Sequence, residues 1–139
     1  MATLKAIYDL ATGDSPVMIS TVDELTALVE RVSAYSARHP HASIVEISVA
    51  ADPYSFPTLY AGIGAENGFV QEYWNPSRST IGDQGATGTV IYDLQGNGTE
   101  VPAVQQVPME IVREVLEAYL GHDGVLPANF PALHPIPLD

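Results

Sequence analysis

The sequence predicts an α+β domain of two layers, a mainly antiparallel sheet of about five to six strands with two helices packed on one face. Segments alternating apolar and polar residues with period two are joined by short glycine-bearing links, which only antiparallel strands can use. Two other segments space their apolar residues three and four apart, the stripe of a helix with one face to bury. The length of 139 residues suits one domain spanning 1–139.

Each element follows from local chemistry. Leu4, Ala6, Tyr8 and Leu10 alternate with Lys5, Ile7 and Asp9, a first strand, and Thr12 to Pro16 is a turn cluster before the short extended piece Val17 to Ile19. Thr21 stands three residues before Glu24, the spacing of a capping box. Val22, Leu25, Leu28, Val29 and Val32 form the stripe of the helix that follows, and Pro40 ends it. Ile44 to Ala50 is a strand with Val45, Ile47 and Val49 on one face and Glu46 and Ser48 on the other.

Two hairpins come next. Thr58–Ile63 and Phe69–Trp74 are joined by a link whose Asn67-Gly68 pair predicts the turn. Asn75 to Gly88 reads as a polar loop, and Thr89–Leu94 and Thr99–Val104 pair across Gln95 to Gly98. A second helix opens near Val107-Pro108, buries Ile111, Val112, Val115, Leu116, Tyr119 and Leu120, and stops at Gly121. The proline-rich tail, 126–139, is expected to run extended over the surface. With both helices on one face, the other lacks a helical cover and should present Glu46, Glu72, Trp74 and Tyr92 to water.

The balance of charge is strongly acidic: 17 Asp and Glu against 5 Lys and Arg, a net charge of −12, with no cysteine. Such a domain repels nucleic acid and anionic membranes and attracts basic surfaces. Absence of cysteine removes disulfides, thiolate metal sites and thiol nucleophiles, and fits a cytoplasmic setting. The amino-terminal apolar stretch is too short for a signal peptide, and no apolar run approaches a membrane span.

Catalytic patterns are missing. The Gly62 to Gly68 run leads into a strand, where a phosphate loop needs a helix. His39, His41, His122 and His134 lack helical metal-site spacing, and no Gly-x-Ser-x-Gly elbow occurs. The expectation is a protein that is not an enzyme and takes no cofactor and no metal. Aromatics beside acids are what remains: Asp52, Tyr54, Glu66, Glu72, Trp74, Asp83 and Asp93 are the candidate partner-binding residues, on loops and the open face.

From Phe56-Pro57-Thr58-Leu59-Tyr60-Ala61-Gly62-Ile63-Gly64 through Asn67-Gly68-Phe69-Val70-Gln71-Glu72-Tyr73 to Thr89-Val90-Ile91-Tyr92-Asp93, Gly98-Thr99-Glu100-Val101-Pro102 and Val107-Pro108, the chain resembles the first-numbered immunity-protein family of bacterial polymorphic toxin systems, many of whose members neighbour deaminase toxins. The opening Val17 to Arg38 fits as well, so the resemblance spans roughly residues 17–127. Where that family closes on a tryptophan, this tail offers Phe130. The resemblance implies an intracellular antidote that binds a cognate toxin, acting on nucleic acid or nucleotides, and covers its active site. The toxin would have a basic cleft, and the free antidote would be a monomer or weak dimer. Two alternatives stay open: a small ligand-binding domain or enzyme with a pocket near His122 and Asp123, and a self-associating structural module.

Overall fold

The computed structural model describes residues 2–136. In chain order the elements are β1 (Leu4–Ile7), α1 (Leu10–Asp14), β2 (Val17–Ile19), α2 (Val22–Ala37), β3 (Ser43–Val49), β4 (Thr58–Ile63), β5 (Asn67–Tyr73), β6 (Arg78–Ser79), β7 (Thr89–Leu94), β8 (Asn97–Pro102), β9 (Val107–Pro108), α3 (Met109–Gly121) and β10 (His134–Pro135). A 3-10 turn, Ala103–Gln105, precedes β9. The main sheet runs β10-β6-β5-β4-β3-β1-β2 with antiparallel neighbours. The α+β class is as the patterning predicts, and the six strands of four or more residues (β1, β3, β4, β5, β7 and β8) are the ones the alternation marks.

Both long helices lie on one face. Leu25, Leu28, Val29 and Val32 of α2 and Val112, Val115, Leu116 and Tyr119 of α3 pack with Val45, Ile47, Val49, Leu59, Ala61 and Ile63 in one buried cluster. The predicted capping box closes α2: the Thr21 hydroxyl accepts from Glu24 N at 3.1 Å, and Glu24 Oε1 accepts from Thr21 N at 3.1 Å.

Several local expectations are corrected. The Thr12–Pro16 turn cluster gives its first residues to α1, whose cap Asp9 accepts from Thr12 N at 2.8 Å while Thr12 Oγ1 accepts from Asp9 N at 3.0 Å. That box uses a threonine in place of the usual Glu or Gln, so the common signature misses it. Asn67 and Gly68 belong to β5, paired with β9 and, at Gly68, with Ile63; the turn is made by the residues before them. The turn joining β7 and β8 uses Gln95 and Gly96, both at positive φ (51° and 94°), as a tight two-residue hairpin requires. The polar loop after Trp74 contains β6. The tail is not a surface ribbon: Leu126 and Leu133 are buried in the main core, Phe130 packs against it, and β10 pairs with β6. Pro137 to Asp139, the end of the expected extended tail, lie outside the described residues.

The second face is half covered. The β7–β8 hairpin swings across it and touches the main sheet beside β3, where Asp93 N donates to Ala42 O at 2.8 Å. Beneath it Ile44, Phe69, Tyr92 and Val101 form a separate buried cluster, with Phe69 and Tyr92 edge to face at 4.8 Å. Gly62 makes room for that pair, because a Cβ there would collide with both rings.

Candidate functional site

What the hairpin leaves open is a cleft of about 810 Å³ on the same face. Its floor comes from outward positions of three adjacent strands: Lys5 on β1, Glu46 and Ser48 on β3, and Thr58 and Tyr60 on β4. Its walls are aromatic. Tyr54 and Phe56 come from the proline-bounded link between β3 and β4, and Tyr73 and Trp74 from the end of β5. Tyr54 is 94% exposed, Tyr73 69% and Trp74 47%. Three large aromatic side chains are thus exposed around one concavity.

The electrostatics centre on Glu46. Tyr60 Oη donates to Glu46 Oε1 at 3.3 Å, and Tyr60 stands edge to face with Tyr73 at 6.4 Å. Burial first, then the nearby Glu46 carboxylate, raises the Tyr60 pKa, so its phenol stays a donor. The turn carrying Trp74 is fixed from behind: Ser77 Oγ donates to Trp74 O at 3.0 Å, and Ile136 N of the tail donates to Ser77 O at 3.2 Å.

A comparison with protein families matches this chain over residues 13–134 to the family described as Immunity protein Imm1. The chain belongs to the Imm1 family. No curated protein matches it. The Imm1 match takes in β2 through β9, both long helices and the tail as far as the start of β10, so the cleft and the strands beneath it lie almost wholly within it.

Within the Imm1 domain, the candidate partner residues separate. Tyr54 and Trp74 both line the cleft, and Asp52 is exposed one residue before its lining residue Pro53. Glu66 is exposed in the β4–β5 turn, and Asp83 is exposed in the loop after β6. Asp93 lines a different cleft of about 450 Å³ with Asp9, Tyr35, His39 and His41. There a His39 ring nitrogen donates to Tyr35 O at 2.7 Å, capping the end of α2, and the two rings stack at 4.2 Å. His122 is exposed at the end of α3, and Asp123 Oδ1 accepts from Ala2 N at 2.8 Å; neither lines the two clefts. Among the described residues, no three His, Asp or Glu side chains converge as a metal ion would require, and no helix is long and apolar enough to cross a membrane.

Two residues expected on the open face are elsewhere. Glu72 is 3% exposed. The register Leu59↔Glu72 and Tyr60↔Gln71 sends Glu72 to the helical face with Leu59. There it pairs with Arg78, the only ion pair among the described residues. Tyr92 is buried beneath the hairpin. Trp74 reaches the cleft because it lies one residue past β5, where strand alternation no longer applies. Tyr60 and Glu46 were legible as outward positions by their alternation with Leu59, Ala61, Val45 and Ile47, but not as cleft residues.

Proposed function

We propose that this Imm1 protein neutralises a cognate protein toxin by one-to-one binding, with the aromatic cleft as the anchor of the interface. The observation that carries the reading is the exposed trio Tyr54, Tyr73 and Trp74 around one concavity on a sheet face that no helix covers. Exposed Tyr and Trp flanking a pocket are the residue types that dominate binding energy in protein interfaces. The net charge of −12 supports a basic target. Among the described residues one acid is neutralised by an ion pair, which leaves Asp52, Glu66, Asp83 and others to steer encounter. A toxin that acts on nucleic acid or nucleotides, such as a deaminase, has a basic substrate cleft of the kind this surface would cover.

Co-expression with a candidate cognate toxin domain tests the reading. Wild type should rescue growth, and the triple variant Tyr54→Ala, Tyr73→Ala, Trp74→Ala should not, while keeping a wild-type melting curve. Rescue by that variant would move the interface elsewhere.

A further inference from the structure

Glu46 is the one acidic side chain lining the aromatic cleft. It is half-buried, and no cation lies within ion-pair distance of it among the described residues. Its one recorded partner, Tyr60 Oη at 3.3 Å, is longer than the roughly 2.7 Å typical of hydroxyl bonds. A carboxylate has room for about four hydrogen bonds, so most of this acceptor's capacity is unused. Lys5 lines the same floor but pairs across β1 and β3 with Ser48, and Ile7 is the residue opposite Glu46. The ring of Tyr60 adjoins the carboxylate, and Tyr73 stands perpendicular to it at 88°.

A carboxylate with spare acceptor sites beside aromatic rings suits a planar cation with several donors. Guanidinium meets both demands: it can bond a carboxylate through two parallel N–H groups and lie against an aromatic face. A lysine ammonium offers neither the plane nor the fork. We propose that the cleft is the slot for an arginine side chain of the protein partner, with Glu46 accepting from the guanidinium and the rings of Tyr60 and Tyr73 flanking it. This rests on the reading of the cleft as the toxin-facing surface. The overall charge favours a basic side chain over an acidic one at this position, and Lys5, which faces Ser48 two residues along β3 from Glu46, makes no ion pair with that carboxylate.

Trp74 is the sole tryptophan, and it lines the cleft, so its fluorescence reports occupancy directly. The probe is the blocked peptide acetyl-Gly-Arg-Gly-amide, with the citrulline peptide, equal in shape but uncharged, as control. The expected result is a saturable Trp74 change with the arginine peptide, in about the millimolar range for so small a contact. Binding should be about tenfold weaker for the citrulline peptide and for Glu46→Gln. Equal responses to the two peptides, no response to the arginine peptide, or unchanged binding by Glu46→Gln would each overturn the proposal. The citrulline comparison uses the wild-type protein, so it holds even if the variant folds poorly. Co-expression separates the two levels: if Trp74→Ala abolishes rescue and Glu46→Gln leaves it intact, the arginine slot fails and the cleft interface stands. If neither Glu46→Gln nor the triple variant Tyr54→Ala, Tyr73→Ala, Trp74→Ala affects rescue, both fail.

Discussion

Arg78 grips Glu72 through two parallel bonds, Nε to Oε1 at 2.6 Å and Nη2 to Oε2 at 2.9 Å, beneath the helices. The remaining nitrogen, Nη1, donates to the carbonyls of Pro127 and Ala128 at 2.9 and 3.1 Å. One guanidinium therefore ties the β5 end, β6 and the tail together.

Removing one partner leaves the other charge buried and unpaired, which costs about 3–5 kcal/mol. Glu72→Ala is expected to lose that much in urea unfolding. Replacing the pair together, Glu72→Leu with Arg78→Met, should recover most of the loss but not all, because the two tail carbonyls lose their donor. A double variant no more stable than Glu72→Ala would contradict this account of the pair.

Alkaline pH should destabilise the fold through its buried phenols. Burial pushes Tyr92 up to about 12 from its ordinary 10.0. Tyr119, whose Oη donates to Pro57 O at 2.6 Å in the core, is raised further by burial and then by Glu72. With the folded pKa raised, the stabilisation is fully present below pH 10.0 and is lost as pH rises toward about 12, because the unfolded phenol ionises first. Each such tyrosine should remove about 1.4 kcal/mol by pH 11. Urea midpoints measured from pH 8 upward should fall less steeply in Tyr92→Phe, and an equal slope would refute the assignment.

Gly62→Ala should destabilise by about 1–3 kcal/mol, the usual range for overpacking, by forcing apart Phe69 and Tyr92 under the hairpin. Near-ultraviolet circular dichroism would register the disturbed aromatic pair. An unperturbed spectrum with unchanged stability would mean that the hairpin shifts freely.

Thr21→Ala removes the acceptor for Glu24 N at the start of α2 and should cost about 1 kcal/mol. Thermal melts compared with Thr21→Ser, which keeps the hydroxyl, isolate the cap. If serine is no better than alanine, the cap carries little.

Association with the toxin should slow as salt rises, because exposed acids such as Asp52, Glu66 and Asp83 act at long range. Stopped-flow mixing at low and high ionic strength should show the rate constant fall by about tenfold or more, with dissociation little changed. A salt-independent rate would remove the steering role of the acid and leave the aromatic anchor.

Alternation and spacing were enough wherever one face of an element meets water. The Thr21–Glu24 cap, the stripe of α2 and the split of β3 into Val45, Ile47 and Val49 against Glu46 and Ser48 all lay open in the sequence. Alternation fails in β5, where Phe69 and Val70 are both fully buried, one under the hairpin and one under the helices. With apolar residues on both faces, periodicity cannot assign Glu72 to either.

By itself, then, the sequence determined the fold class, the sheet face that no helix covers, the acidic charge and the family pattern, because these depend on local period and composition. Tertiary structure alone decided that the hairpin shelters half of that face, that Glu72 turns inward to Arg78, and that Tyr54, Tyr60, Tyr73 and Trp74 line one cleft with Glu46. Those relations join residues distant along the chain through strand register and the path of long connections. No local window of residues encodes either.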